Sequence, residues 1–330
     1  MMDKPRQLID PFGRRIEYVR LSVTDKCNYR CFYCLPEGSR DFEPPANWLR
    51  FDEIERIVRV FSELGVSRFR ITGGEPLVRK GITDLAARLS ALPKVHDLSL
   101  STNASLLVRY AEPLYRAGVS RINVSLDTLK TDRFRNVTGG NLEDVLAGLM
   151  AAAAAGFDPI KINMVALKEQ NDDEFEDMVA FCLENNFTLR FIEAMPIGRP
   201  GCGIRGHYLD LGQVKAQLAQ KFELIPDVVT GGGPARYFKI AGTKLRIGFI
   251  TPISQHFCET CNRVRLSVNG TLYLCLGQNH RYDLQPLLRN GADDDALAAA
   301  ISDALALKPA CHEFSEKPHQ VTRLMSVTGG

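Results

Sequence analysis

Between about residue 17 and residue 193, short apolar runs with period-two alternation alternate with longer stretches of helical periodicity. The pattern predicts amphipathic helices, such as those at 51–65, 142–156 and 171–186. The predicted strands lie at 18–23, 68–72, 96–101, 121–126, 160–167 and 188–195. Two of the helices run to Gly65 and Gly156, where a helix C-cap is expected. Because strand and helix repeat in this order, the pattern indicates βαβ units and a parallel sheet.

The alternation breaks at "MPIGRPGCGIRGHY", which is rich in glycine, proline and arginine. A helix at 211–222 and β-like segments at 235–241, 243–250, 262–268 and 270–276 follow. These segments predict a smaller antiparallel subdomain with a helical tail. Six strands fit an incomplete barrel better than a full eight-stranded one, although a doubly wound open sheet stays possible because strand order cannot be read from the sequence. The predicted fold class is α/β: an incomplete (β/α)6 TIM-like barrel at 1–195 and a C-terminal α+β extension at 196–330.

The composition and charge of the chain exclude some classes of function and favour others. The chain of 330 residues is 45% hydrophobic and carries a formal net charge of only +2, so neither nucleic acid nor an anionic membrane is an expected partner. The N-terminal "MMDKPRQLIDPFGRR" lacks an apolar signal-peptide core, which favours a cytoplasmic protein. Nine cysteines in a reducing compartment favour metal binding or redox chemistry over disulfides.

Three cysteines stand in the stretch "CNYRCFYC", namely Cys27, Cys31 and Cys34. They follow the first predicted strand, at the edge of a parallel sheet where active sites assemble. A structural zinc site wants four ligands, and iron–sulfur clusters are usually held by four thiolates. Three thiolates therefore indicate a cluster with one iron open to an exogenous ligand. A zinc site completed by a distant residue is the alternative.

A second triad lies near the other end of the chain, in "FCETCNRVRLSVNGTLYLCL", and comprises Cys258, Cys261 and Cys275. A zinc ribbon would usually offer a second C-x2-C pair, which is missing here. His256 or His280 could complete a zinc site. The simplest count is again three thiolates and an open position, so we expect a second iron–sulfur cluster in the extension.

The C-x3-C-x2-C spacing, with the aromatic Tyr33 before the last cysteine, resembles the signature of the radical S-adenosylmethionine (SAM) superfamily. The next strand is followed by Gly73–Gly74–Glu75–Pro76, which matches the GGEP element of that superfamily. The resemblance implies that the open iron chelates the amino and carboxylate groups of SAM. An electron from the cluster would then cleave the sulfonium to a 5′-deoxyadenosyl radical, while the glycine backbone approaches the methionine amino group.

Further motifs, "RLSVTDKCNYRCFYC", "RITGGEPL", "RINVSLD", "LRFIEAM", "FCETCNRVRLS" and a terminal "GG", together resemble the GTP 3′,8-cyclase family of molybdenum cofactor biosynthesis. The resemblance implies two [4Fe–4S] clusters, with GTP between them and its guanine on the open iron of the second. It implies hydrogen abstraction from ribose C3′ and attack on guanine C8, which gives 3′,8-cyclo-7,8-dihydro-GTP. Implied partners are an electron donor of flavodoxin or ferredoxin type and a downstream cyclic pyranopterin monophosphate synthase; a homodimer is left open.

The strands themselves suit an anionic substrate. Arg20, Arg70, Lys161 and Arg190 each sit in mid-strand opposite apolar neighbours, and Arg263 and Arg265 point the same way from one strand. Polar residues within a buried parallel sheet are costly unless they are paired or line a wet cavity. Cations that recur on strand after strand therefore favour an anionic ligand inside the barrel.

The resemblance also assigns roles residue by residue. The residues that match GTP contacts are Arg20, Arg70, Ser101, Lys161, Arg263 and Arg265. Those that match SAM contacts are Tyr33, Gly74, Ser125 and Met195. Arg190 matches a barrel-lining arginine, and we expect Arg20 to be the side chain nearest the chemistry. Gly329 and Gly330 match a tail that enters the barrel in the family.

Two positions depart from the family pattern. Ala104 stands where glycine is common and therefore lacks the backbone freedom of glycine, and Thr328 precedes the final glycine pair. Two other functions remain open at this stage. One is a radical enzyme on a peptide or another small molecule, with the second cluster as a fully ligated electron relay. The other is a non-enzymatic iron–sulfur sensor or carrier.

Overall fold

The computed structural model describes residues 7–35, 38, 42–198, 204–229, 233–317 and 320–329. Its strands join one sheet in the order β12-β11-β10-β1-β2-β3-β4-β5-β6-β9-β8-β7. Numbered in chain order, these strands are β1 (Tyr18–Ser22), β2 (Arg68–Thr72), β3 (Asp97–Thr102), β4 (Arg121–Ser125), β5 (Ile160–Ala166), β6 (Thr188–Glu193), β7 (Leu224–Asp227), β8 (Arg236–Ile240), β9 (Arg246–Ile250), β10 (Arg263–Leu266), β11 (Thr271–Tyr273) and β12 (Arg281–Asp283).

The first six strands pair in parallel and in sequence order, which confirms the predicted incomplete barrel. The antiparallel pairing predicted for the C-terminal segments is present between β8 and β9 and between β10 and β11, but the prediction that they form a smaller subdomain of their own is wrong. Strand β10 pairs in parallel with β1, and β9 pairs in parallel with β6, so the C-terminal strands extend both edges of the same sheet. Only the outermost pairs are antiparallel. The segments that carry the two cysteine triads thus adjoin strands of one continuous sheet.

Helices cover the outer face of the sheet, except for the last one, whose first residue, Met325, lines a cavity within the barrel. They are α1 (Phe51–Glu63), α2 (Ile82–Ser90), α3 (Leu107–Arg116), α4 (Thr131–Thr138), α5 (Leu142–Ala154), α6 (Phe175–Glu184), α7 (Leu211–Ala219), α8 (Gln285–Arg289), α9 (Asp294–Leu305) and α10 (Met325–Thr328). The chain turns after α1 and α5 at Gly65 and Gly156, whose φ values of 91° and 95° favour glycine and confirm the predicted C-terminal stops. Among the described residues, no helix combines the length and apolar character that a bilayer span requires.

Alternation along the strands separates two faces. Residues such as Val19, Phe69 and Phe191 are fully buried and belong to the single large hydrophobic core with the helices. The intervening residues of neighbouring strands lie side by side: Arg20 pairs with both Arg265 and Arg70 in the strand register. Because the strands are parallel and in register, the mid-strand cations form adjacent rows on the inner face.

Candidate functional site

The loop that carries the first triad is fixed by the loop after β2. The amide of Gly74 donates to the Thr24 carbonyl at 2.8 Å, and that of Glu75 donates to the Lys26 carbonyl at 2.9 Å. A Cβ at Gly73 would lie 2.1 Å from the Thr24 oxygen, and one at Gly74 would lie 2.4 Å from the Lys26 oxygen. Both positions therefore require glycine so that the chain can pack against the residues before Cys27.

Glu75 ties the same loop to the end of β3. Its fully buried carboxylate accepts hydrogen bonds from Thr102 Oγ1 at 2.8 Å and from the backbone amides of Leu77 and Asn103 at 3.0 and 2.6 Å. Burial, only partly offset by these bonds, raises the pKa of Glu75 to about 7. The acidic residue of the GGEP element thus has a structural function here: it holds three loops at one edge of the sheet.

The first cavity opens at this edge. Its lining includes every residue of the first triad, every predicted SAM contact and Ser101, namely Cys27, Cys31, Cys34, Tyr33, Gly74, Ser101, Ser125 and Met195. The structure therefore brings together residues that are 168 positions apart in sequence, from Cys27 to Met195 (195 − 27). Ser101, which the family pattern assigns to GTP, faces this first cavity. The roles of these cavity-lining residues as ligand contacts stay predictions.

The thiols of the first triad suit a soft, positively charged partner. Burial raises the pKa of Cys27 to about 11 and that of Cys31 well above its usual value, so both favour the protonated form unless a cation displaces the proton. Two donors approach the Cys27 sulfur, the Tyr29 amide at 3.4 Å and Asn103 Nδ2 at 3.9 Å. Such contacts stabilise a thiolate once it forms. The donor set fits an iron–sulfur cluster.

Three basic residues hold the segments that carry the second triad. Arg14 Nη1 donates to the Cys258 carbonyl at 2.8 Å, and Arg323 Nη2 donates to the Cys275 carbonyl at 3.0 Å. Lys308, which is buried, places its Nζ 3.8 Å from the Cys261 sulfur and donates to the carbonyls of Arg263 and Leu274. Although burial acts in the opposite sense, Lys308 and Arg263 lower the pKa of Cys261. Cations around three thiols compensate the negative charge that a thiolate-bound cluster brings, so the donor set fits here too.

A second cavity joins this triad to the barrel. It is lined by the three cysteines and by five arginines, Arg20, Arg70, Arg190, Arg263 and Arg265. Lys161 lies in a neighbouring pocket with Arg68 and Arg121, and this pocket shares Arg70 and Arg190 with the second cavity. The structure therefore places all the cations that the strand pattern singled out around these two cavities, and Lys161 lines only the one without cysteines.

The arginines are held in place by neutral partners. Arg190 donates from Nε to Asn163 Oδ1 at 2.8 Å and from Nη2 to Asn123 Oδ1 at 2.5 Å. A Cβ on Gly248 in β9 would lie 3.1 Å from the Arg190 side chain, so this glycine leaves room for it. Burial lowers the pKa of Arg70 and of Arg190 to about 10. Since the amides bonded to Arg190 and the Ser99 hydroxyl near Arg70 are neutral, they do not balance the charge of these arginines, which an anion would neutralise.

Arg20 and Lys161 show most clearly that an anion would balance the cations of the barrel. The Nε of Arg20 is buried and has no hydrogen-bond partner among the described residues. Burial, reinforced by Arg190, Arg121 and Arg70, lowers the pKa of Lys161 to about 7. An anion with several oxygens would satisfy both groups, and bidentate contacts suit guanidinium groups best. The barrel therefore fits a phosphorylated ligand.

The two cavities meet inside the barrel. Three residues line both of them: Asn163, Ile192 and Met195. A molecule that extends from one triad to the other would pass these three side chains. The geometry suits two reactants that meet between the triads, one anchored at the first and the other held by the arginines.

The C-terminal tail fills the space beside these strands. Arg265 Nη1 donates to the carbonyl of Gly329 and, at 3.2 Å, to that of Thr328. Thr328 is fully buried, and a Cβ on Gly329 would lie 2.2 Å from the Thr72 side chain. Met325 lines the first cavity. The tail therefore enters the barrel, as the family resemblance implied. Gly330, the last residue of the predicted tail pair, lies outside the described residues.

Sequence reasoning missed several residues of this site. Arg121 and Asn123 follow the same period-two pattern as the residues singled out, so the strand pattern could have identified them. Asp127, which accepts a hydrogen bond from the Tyr33 hydroxyl, follows β4 at the same sheet edge. Arg14 and Lys308 gave no local signal because their partners are 244 and 47 residues away in sequence.

Comparisons with known proteins agree with this geometry. Residues 21–182 match the family described as Radical SAM superfamily, and residues 187–314 match the family described as Molybdenum Cofactor Synthesis C. The GTP 3′,8-cyclase of Hydrogenovibrio crunogenus is 47% identical over 98% of this chain and 99% of its own length. GTP 3′,8-cyclase 1 of Pseudomonas aeruginosa is 49% identical over 98% of this chain and 99% of its own length.

A solved structure supports the fold. Streptococcus suis SuiB bound to S-adenosylmethionine aligns with a TM-score of 0.62 at 16% identity, over 94% of this chain and 78% of that chain. At this identity, the likeness concerns the fold alone. The full-length likeness to curated relatives goes further: the chain belongs to the GTP 3′,8-cyclase family, within the radical SAM superfamily.

Proposed function

We propose that this protein is a GTP 3′,8-cyclase of molybdenum cofactor biosynthesis. It would convert GTP to 3′,8-cyclo-7,8-dihydro-GTP. The observation that carries the proposal is a cavity lined by the second cysteine triad and five arginines, which meets a cavity lined by the first triad. Membership in an enzyme family confirms the prediction of an enzyme over a non-enzymatic sensor.

Membership in the radical SAM superfamily implies SAM and a [4Fe–4S] cluster. Cys27, Cys31 and Cys34 would hold that cluster, and Tyr33, Gly74, Ser125 and Met195 would contact SAM. We further propose a second [4Fe–4S] cluster on Cys258, Cys261 and Cys275. When bound, the first cluster and SAM supply the radical that abstracts the ribose C3′ hydrogen before C3′ joins guanine C8.

The residues of the chain would supply binding, orientation and exclusion of water. Arg70, Arg190 and Lys161 line one pocket and would bind the triphosphate, while Arg263 and Arg265 would hold the nucleotide close to the second triad. Arg20 neighbours Arg70 and Arg265 in the sheet register, so its guanidinium would lie next to the reacting nucleotide. The buried tail would close the barrel and fix Arg265.

The remaining parts of the proposal rest on the family resemblance. We propose an electron donor of flavodoxin or ferredoxin type, and a cyclic pyranopterin monophosphate synthase as the enzyme that takes the product. A cytoplasmic location and a homodimer stay predictions. So do the domain boundaries at 195 and 196.

The experiment is anaerobic. Protein reconstituted with iron and sulfide is given reductant and SAM, and 5′-deoxyadenosine is quantified with GTP, with ATP and without nucleotide. The proposal predicts a burst with GTP alone, together with a product nucleotide of unchanged mass. Equal 5′-deoxyadenosine in all three samples would keep the radical enzyme and refute GTP as its substrate.

The competing hypothesis is a radical enzyme whose second cluster is a fully ligated electron relay. One observation makes it worth testing: Cys311 and His256 lie beside Cys258, where a fourth protein ligand could approach. A relay cluster would keep the same electron paramagnetic resonance spectrum when GTP is added. A cluster with an open iron would change its spectrum with GTP and not with ATP.

A further inference from the structure

A group of metal-binding side chains lies beside the second triad and overlaps it at one residue only. The donor atoms of His256, Cys258 and Cys311 all lie within 4.8 Å of one another. Two thiolates on one zinc ion, each at about 2.3 Å, can be no more than about 4.6 Å apart. The three side chains therefore have nearly the spacing of ligands to a single ion, which small side-chain rotations would complete.

The backbone holds Cys311 next to Cys258. Arg14 donates to the Cys258 carbonyl at 2.8 Å and also to the carbonyls of Pro309 and Ala310, each at 2.6 Å. Its own guanidinium is buried and forms an ion pair with Asp10 at 2.5 Å. One side chain thus clamps the two segments that carry the two thiols.

A second contact fixes the segment from the other side. Gln278 Nε2 donates to the Cys311 carbonyl at 2.7 Å. Cys311 is therefore held on both flanks, and bringing its sulfur onto an ion costs little conformational freedom. Cys258 is buried, Cys311 half-buried and His256 exposed, so an ion can enter from the His256 side.

We propose that His256, Cys258 and Cys311 bind one thiophilic divalent cation, such as Zn²⁺, when the second triad carries no cluster. Binding would release the two thiol protons to solvent, with no electron transferred. Three protein ligands leave the fourth tetrahedral position to water. Because Cys258 would serve both sites, the ion and the proposed second cluster exclude each other.

Such a site would make Zn²⁺ a competitor of cluster assembly. It would occupy Cys258 and leave Cys261 and Cys275 without a complete triad. Zn²⁺ forms stronger complexes than Fe²⁺ with the same ligands, so iron would not readily displace it. This competition rests on the proposed second cluster, whereas binding of the ion does not.

The test uses the full-length apoprotein, kept anaerobic and reduced, with Cys27, Cys31 and Cys34 replaced by serine to silence the first triad. Co²⁺ is the probe, because its thiolate charge-transfer absorption scales with the number of bound sulfurs, and Zn²⁺ affinity is measured against a chromophoric chelator. Matched variants are Cys311→Ser and Cys275→Ser, with Cys182→Ser in the core as a control for thiol loss. Circular dichroism establishes that each variant is folded.

We expect one equivalent of Co²⁺ with two thiolates. Cys311→Ser should halve the charge-transfer band and weaken Zn²⁺ binding at least about tenfold, and His256→Ala should weaken it to a similar extent. Cys275→Ser and Cys182→Ser should bind as the parent does. The inference is overturned if Cys275→Ser abolishes binding while Cys311→Ser leaves it intact, since the ion would then sit on the proposed cluster triad.

Competition is tested separately on the protein with all its cysteines. One equivalent of Zn²⁺ should slow the uptake of the second four irons, and Cys311→Ser should restore it. If the apoprotein binds Zn²⁺ as described but never takes up a second cluster, the proposed function loses its second cluster and the ion site stands.

Discussion

Lys161 provides a quantitative test of the cationic barrel. Burial and the nearby Arg190, Arg121 and Arg70 lower its pKa from 10.5 to about 7. At about 1.4 kcal/mol per pKa unit, the charged form costs about 5 kcal/mol in the fold. At pH 7 half of the groups are neutral, so the remaining penalty on folding is about 4 kcal/mol.

The direction in which stability changes with pH follows from proton linkage. Between pH 7 and pH 10.5 the unfolded chain holds a proton on Lys161 that the folded protein releases, so this residue makes stability rise with pH across that window. The penalty is fully present below pH 7 and is gone above pH 10.5. Lys161→Met should therefore stabilise the nucleotide-free protein at pH 7 by about 4 kcal/mol, on the order of 5 °C in Tm, and by much less at pH 9.5.

The assay is thermal unfolding of nucleotide-free protein at pH 6, 7, 8 and 9.5. Lys244→Met, at an exposed lysine, is the matched control and should leave Tm nearly unchanged at every pH. In the presence of GTP the order should reverse, because Lys161→Met removes a cation that the triphosphate needs. Equal or lower stability of Lys161→Met at pH 7, with no dependence on pH, would refute the reasoning.

Three further predictions concern residues around the cavities. Glu75→Gln replaces an oxygen acceptor by a donor amide and should destabilise the protein by about 1–3 kcal/mol, measured by denaturant unfolding; an unchanged midpoint would contradict its bracing role. Arg190→Lys cannot keep both amide contacts and should weaken GTP binding about tenfold in calorimetry, whereas undiminished affinity would remove Arg190 from the site. Arg265→Gln and deletion of Gly329 and Gly330 should each lower product formation with iron content unchanged. The combined variant should lose little more than either alone, and fully additive losses would show that arginine and tail act separately.

Local patterns predicted the six central strands, because apolar alternation and helical periodicity are local consequences of a buried parallel sheet. They did not reveal that β9 and β10 complete the sheet at both edges. Parallel pairing of β10 with β1 joins residues about 245 positions apart, as for Tyr18 and Arg263 (263 − 18), and no local pattern encodes it. The predicted subdomain included only pairing between strands adjacent in sequence, which β8–β9 and β10–β11 do form, and it missed the parallel pairing of β9 with β6 and of β10 with β1.

The residues of the candidate site fall into two groups: those that local sequence patterns identify and those that only the fold reveals. The spacing of the cysteines identifies the two triads, and the alternation along the strands identifies the mid-strand cations. The residues that position them, such as Arg14 and Lys308, act across long sequence separations and are visible only in the fold. Ala104 stands where the family commonly has glycine, and it takes φ = 65°, a left-handed conformation that glycine adopts more readily.

The most direct test of the proposed reaction follows the ribose hydrogen. Reconstituted enzyme is given reductant, SAM and GTP that carries deuterium at ribose C3′, and the 5′-deoxyadenosine formed is weighed by mass spectrometry. A cyclase that places C3′ between the two triads predicts one deuterium in 5′-deoxyadenosine and a product nucleotide that has lost it. Unlabelled 5′-deoxyadenosine, with the deuterium still on the nucleotide, would contradict the account.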